Sequence, residues 1–93
     1  MALLIVVSYD VTDDRRRTRL AAALQGFGAR VQYSVFECRL EAPQIDRLRA
    51  HLRELIDPKE DSVRLYHFCR DCGAKTEIHG IGQSLEDPEV YVL

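Results

Sequence analysis

The spacing of apolar and polar positions changes character after residue 10. Leu3 to Asp10 (Leu-Leu-Ile-Val-Val-Ser-Tyr-Asp) is apolar and rich in β-branched residues, which predicts a buried strand ending on Asp10. Thr12, Asp13 and Asp14 then supply an N-cap and first-turn acids for a helix running to Gln25, and Gly26 and Gly28 end it. On that helix Leu20, Leu24 and Phe27 form one stripe at four- and three-residue spacing. Arg15 and Arg19 point away from the stripe, while Arg16 and Arg17 flank it. The helix is expected to pack with an arginine-lined rim.

Arg30 to Leu40 reads as one long second strand. Pro43 opens a second amphipathic helix with Ile45, Leu48, Leu52, Leu55 and Ile56 inward, stopped by Asp57-Pro58. Ser62 to Cys69 predicts a third strand, Lys75 to Ile81 a fourth, and Glu89 to Leu93 a short last one after the Asp87-Pro88 turn. No linker, repeat or low-complexity segment interrupts residues 1–93, so the expectation is a single α/β (α+β) domain with helices layered on a sheet. The pattern leaves the strand connectivity open.

The two sides of the strands are unusually alike. In the first strand Leu3, Ile5, Val7 and Tyr9 alternate with Leu4 and Val6; in the third, Val63 and Leu65 alternate with Tyr66 and Phe68. Helices on one face of a sheet leave the other face wet, where polar residues are the rule. An apolar second face calls for a cover, and the economical one is a second copy related by a two-fold axis. The expectation is a homodimer through the sheet face.

Composition narrows the class. An apolar share of 46% over 93 residues supports one core. The opening apolar run is too short for a membrane span and has no basic leader, so no membrane partner and a cytoplasmic location are expected. Three cysteines do not suit a secreted disulfide framework. The net charge of −2 hides an asymmetry: residues 1–56 carry nine Arg against seven acids, and residues 57–93 four bases against eight. Local clusters set the field a phosphate feels within a Debye length, and eleven of the thirteen basic residues are Arg, which suits bidentate phosphate contacts.

Asp10 is the first candidate for chemistry, because a side chain at a strand end is held rigidly yet reaches solvent. The plain alternative is a strand-end turn residue. A hydrated Mg²⁺ needs only one or two protein carboxylates, and two-fold pairing would bring two Asp10 side chains together. Arg15, Arg16, Arg17 and Arg19, one helix turn from it, could hold phosphates, or could be a solvated face paired with Asp13 and Asp14. Tyr9 and Phe36 are candidates for stacking on an unpaired base, or core residues. Cys69-Arg70-Asp71-Cys72, with Cys38 and His67 as further ligands, suggests Zn²⁺ by spacing but lacks a second ligand pair; free thiols are the default.

With Tyr9-Asp10 closing the first strand, then Thr12-Asp13-Asp14, Arg17 and Arg19, then Val31-Gln32-Tyr33-Ser34-Val35-Phe36-Glu37, the chain resembles the small CRISPR-associated endonuclease family that partners the spacer integrase. The resemblance spans nearly the whole chain. It implies a ferredoxin-like βαββαβ sandwich with an antiparallel sheet, hence a further element where the pattern reads one long second strand. It also implies a symmetric dimer whose C-terminal strand, Val90 to Leu93, joins the partner's sheet. By the resemblance, Asp10 binds Mg²⁺ or another divalent metal between subunits, and Tyr9, Arg17, Arg19, Arg30 and Phe36 serve nuclease activity on RNA or DNA. Cys69-x-x-Cys72 is not part of the family pattern.

Three functions follow from these readings. One is a metal-dependent endonuclease acting in spacer acquisition during antiviral defence. The second is a non-catalytic dimeric scaffold that holds DNA for the spacer integrase. The third, a regulator with a small ligand at the dimer interface, has no glycine-rich ligand loop to support it.

Overall fold

The computed structural model of the protein describes residues 2–69, 73–81 and 90–92, with side chains described for 2–68 and 76–81. The chain runs β1 (Leu3–Asp10), α1 (Asp14–Gln25), β2 (Gly28–Gln32), β3 (Val35–Leu40), α2 (Ala42–Leu55), β4 (Ser62–Cys69), β5 (Gly73–Gly80) and β6 (Val90–Val92). The strands form one sheet in the order β2-β3-β1-β4-β5-β6. The first six elements, β1 to β4, have the ferredoxin-like βαββαβ arrangement, with each βαβ unit leaving a gap that an antiparallel strand fills.

Two details depart from the sequence reading. The run from Arg30 to Leu40 is not one strand: it breaks at Tyr33-Ser34 into the β2/β3 hairpin, which begins at Gly28. A register shift between Arg30 and Gln32 marks a bulge beside the turn. The sheet is also not antiparallel throughout, because β6 runs parallel to β5 of its own chain, pairing Thr76 with Val90 and Ile78 with Val92. The strand expected on a partner's sheet lies, in the single chain, at the edge of its own.

Alternation along β1 sends Ile5, Val7 and Tyr9 to the helix side. There they join Phe36, Cys38 and Leu40 of β3, Val63 and Leu65 of β4, Leu20 and Leu24 of α1, and Ile45, Leu48 and Leu52 of α2 in one buried core. The helices present the faces their periodicity predicts; Phe27, Leu55 and Ile56 are half-buried at its margin. Gly28 starts β2 because nothing larger fits: a Cβ there would stand 2.2 Å from the Glu37 carbonyl oxygen and 2.6 Å from Cys38 Sγ. The hairpin is thereby drawn tight against β3.

The opposite face carries Leu4, Val6 and Ser8 of β1 beside Arg64, Tyr66 and Phe68 of β4, with Val35, Glu37 and Arg39 of β3 on the other flank. Leu4, Val6 and Tyr66 are half-buried and Phe68 is exposed. An apolar strip therefore runs along β1 and β4, bordered by charge on β3.

Candidate nucleic-acid interface and metal position

Asp10 is the last residue of β1, paired across the sheet with Ser62, and exposed. Strand alternation puts it on the face away from the helices, in line with Leu4 and Val6. It lines a cleft of about 340 Å³ together with Tyr9, Val11, Arg17, Tyr33 and Ser34. A second cleft, about 330 Å³, opens between α1 and the hairpin and shares Tyr9, Arg17 and Tyr33 with the first while adding Arg30. The two clefts thus have a common wall.

That wall is built by short-range contacts. Asp13 caps α1 by accepting a hydrogen bond from the Arg16 N–H at 2.9 Å. One turn on, the Arg17 guanidinium donates to the Val11 carbonyl at 3.0 Å and pairs with Asp14, which ties it to the chain just after Asp10. The Tyr9 N–H donates to the Ser34 carbonyl at 3.1 Å, fastening the hairpin turn to the end of β1. Arg30 places its guanidinium 5.3 Å from the centroid of the Phe36 ring, a cation–π contact at the rim of the second cleft.

The four arginines of α1 divide. Arg15 and Arg19 are exposed, and no ion pair of either occurs among the described residues. Arg16, expected with them at phosphate, instead reaches the segment just before β4: its Nε donates to Asp61 at 2.8 Å, and its Nη2 donates to Asp61 at 3.2 Å and Glu60 at 3.3 Å. Asp61 is fully buried. Burial alone would raise its carboxyl, but Arg16 and the Asp57 N–H hold it below the usual carboxylate range. Arg16 is therefore committed to the fold.

Tyr9 and Phe36 are also committed. Both are buried, with ring centroids 6.3 Å apart in a stacked arrangement, and Arg30 covers the Phe36 ring. No ring face of Phe36 is open to a base. The aromatic that is open beside the clefts is Tyr33, 76% exposed at the hairpin turn, a position the sequence pattern places in mid-strand. Within a run read as one strand, an exposed tyrosine looks like any outward-facing strand residue. The one signal was its position between two strand-forming stretches.

The metal expectation can be tested on the donor set. Among the described residues no three His, Cys, Asp or Glu side chains are grouped to hold an ion. Among the described residues, Asp10 is the only carboxylate lining its cleft. That fits a hydrated Mg²⁺ completed by phosphate or by a second copy's carboxylate, and does not fit an all-protein cage. The zinc expectation fares differently. Cys38 and His67 stand on either side of Ile5, facing it from β3 and β4, so two strand spacings, about 10 Å, separate them. They do not share a site, and burial pushes the Cys38 thiol up to about 11. The side chain of Cys69, and Cys72 altogether, lie outside the described residues.

A second polar cluster lies under α2. Glu77 of β5, buried, accepts from Arg49 Nε and Nη2 at 2.8 to 3.2 Å and meets His79 Nε2 at 2.6 Å. His67 Nε2 stands 3.4 Å from Glu77 without making a hydrogen bond to it, and finds no other partner among the described residues. Burial would raise the Glu77 carboxyl, yet its histidine and arginine neighbours hold it well below the usual range. No helix of the described residues is long and apolar enough to cross a membrane.

Residues 1–76 match the family model described as CRISPR associated protein Cas2. The chain is similar, at 44% identity over the full length of both, to a protein of Chloroflexus aurantiacus named CRISPR-associated endoribonuclease Cas2 3. It is also 41% identical to a Thermus thermophilus protein named CRISPR-associated endonuclease Cas2 2, over 97% of this chain and 96% of the other. Among solved structures it is similar to Streptococcus pyogenes Cas2, with a TM-score of 0.67 and 32% identity, covering 73% of this chain and 88% of that one.

Proposed function

Because the chain belongs to the CRISPR-associated protein Cas2 family, we propose that it is a metal-dependent phosphodiester endonuclease of CRISPR spacer acquisition that works as a homodimer beside the spacer integrase. The observation that carries this reading is one cleft lined by both Asp10 and Arg17. A carboxylate suited to hold a cation and a guanidinium suited to hold phosphate face the same space. The relatives' names, endoribonuclease and endonuclease, point to the same bond in RNA or DNA.

In this reading Asp10 of each copy holds a divalent cation such as Mg²⁺, which when bound supplies an acidified water and offsets charge at phosphorus. Arg17, fixed by the Val11 carbonyl, orients the substrate phosphate, and Arg15, Arg19 and Arg30 extend the backbone contacts along α1 and the hairpin rim. The apolar strip of Leu4, Val6, Tyr66 and Phe68 is the surface a second copy would cover, and Asp10 lies on the same face. Two-fold pairing there brings the two carboxylates toward one ion.

A second reading is favoured by the donor set. One carboxylate is a thin metal site, whereas the arginine rim is well built, and a dimer that only holds DNA for the integrase needs no more.

The two are separated by comparing wild type with Asp10→Asn on labelled RNA and duplex DNA, with Mg²⁺ and with chelator. The nuclease reading expects Mg²⁺-dependent cleavage by the wild type and its loss in the variant, with the circular dichroism spectrum and nucleic-acid affinity retained. Equal cleavage by both proteins ends that reading. Spacer acquisition that survives Asp10→Asn but fails on charge reversal at Arg15, Arg17 and Arg19 supports the scaffold.

A further inference from the structure

Tyr33 is the most exposed of the large apolar side chains among the described residues that reach solvent, at 76%, and it stands at a turn held in place. The Tyr9–Ser34 backbone hydrogen bond fixes that turn to the end of β1, one residue from Asp10. Tyr33 lines both clefts, with Arg17 shared between them and Arg30 on the hairpin side. A phenol ring on a fixed turn, bracketed by two guanidinium groups and adjoining the Asp10 cleft, has the parts of a stacking platform: a π-face for a base and cations for the phosphates on either side. Tyr9 and Phe36 do not offer this, since both are buried.

A base inside a duplex has both faces occupied by its neighbours. A protruding ring can stack on a base only where the strand is unpaired, frayed or bulged. Every base has a π-face, so such a platform selects for single-strandedness and not for sequence.

We propose that Tyr33 stacks on one unpaired base of a single-stranded nucleic acid, that Arg17 and Arg30 hold the phosphates flanking it, and that this contact makes Tyr33 the residue that distinguishes single strands from duplex at the Asp10 cleft. The inference rests on the nucleic-acid reading of that cleft and names the class of strand it takes.

The test is fluorescence anisotropy in chelator with four labelled probes: a 12-residue oligouridylate, the matching oligodeoxythymidylate, an abasic strand of the same length, and a blunt duplex. Wild type is compared with Tyr33→Ala, Tyr33→Phe and Arg17→Ala. Tyr33→Ala is expected to weaken binding of both base-bearing single strands by roughly 5- to 100-fold. Tyr33→Phe should bind as wild type does, and the abasic strand and duplex should be bound equally by wild type and Tyr33→Ala. Unequal losses on the RNA and DNA strands would show which sugar the cleft prefers and support the contact. Unchanged single-strand affinity in Tyr33→Ala, with loss in Arg17→Ala, overturns the stacking contact and leaves the nucleic-acid reading standing. Equal weakening on all four probes also overturns it, by making the turn itself, and not the ring, the cause. No binding of any probe by wild type overturns both.

Discussion

Arg49 and Arg17 are nearly alike in exposure, their side chains 29% and 33% open to solvent, yet they have opposite fates. The main partner of Arg49 is Glu77, which is itself 6% exposed and cannot be replaced by a solvent ion without uncovering the core. The carboxylate partner of Arg17 is Asp14, 88% exposed, which any phosphate can displace. Arg16 follows Arg49, with Asp61 wholly buried as its partner. The exposure of an arginine therefore does not say whether it is available; the burial of its carboxylate does. Guanidinium groups with buried partners close the core, and those with exposed partners are open to exchange, even where the two kinds stand side by side on α1.

The largest effect that would break this contrast lies at Glu77. Glu77→Gln keeps the shape but removes the charge facing Arg49 and His79. Removing one member of a buried pair costs more than an exposed pair ever contributes, and since Arg49 keeps some contact with water the expected loss is about 2–3 kcal/mol by urea denaturation. A loss under about 1 kcal/mol would mean the pair is as replaceable as Arg17–Asp14. The same pair sets an acid limit. The Glu77 carboxyl is depressed in the folded state, so the unfolded chain takes up the proton first as pH falls. Its stabilisation is complete above the unfolded glutamate value, about 4.3, and is lost progressively below it. Wild type should lose stability below that pH more steeply than Glu77→Gln does.

This division was only half legible in the sequence. The helical stripe placed Leu20 and Leu24 inward, Arg15 and Arg19 outward and Arg16 and Arg17 between, as the structure has them, because side-chain direction on a helix follows from spacing alone. The partners of the two flanking arginines do not: Asp61 is 45 residues from Arg16, and no periodicity encodes that pairing. The hairpin was hidden for a different reason. Its turn, Tyr33-Ser34, has none of the Gly, Asn or Asp residues that announce a two-residue connection, so Arg30 to Leu40 read as continuous strand. That misreading also concealed Tyr33, and made Phe36 look like a candidate for a base when its place on β3 buries it under Arg30. Asp10 was visible because a strand end is marked by the very change of period that follows it.

A middle-sized effect is expected at Arg17. Arg17→Ala loses one hydrogen bond to the Val11 carbonyl and an exposed ion pair, together about 1 kcal/mol of stability. On the ligand side it removes one phosphate contact. Affinity should fall to a similar degree for every sequence tried, and the slope of log affinity against log salt should lessen by about one. Arg16→Ala should do the reverse, losing stability with little change in that slope. If the two variants give the same salt slope, partner burial does not decide availability and the contrast fails.

The smallest effect is the most pointed, because it removes the partner and leaves the arginine. Asp14 is a first-turn acid of α1, so Asp14→Ala gives up a favourable interaction with the helix N-terminus, about 0.3–1 kcal/mol. It also frees Arg17 from Asp14, its one carboxylate partner among the described residues. If Asp14 is a placeholder for phosphate, the variant is slightly less stable but binds nucleic acid more tightly, by roughly two- to five-fold at low salt, with the gain fading as salt screens the charge. Weaker binding would mean that Asp14 aims the guanidinium and does not merely compete for it. Arg17 would then resemble Arg49 after all, an arginine whose position depends on its carboxylate, differing only in that its partner stands in water.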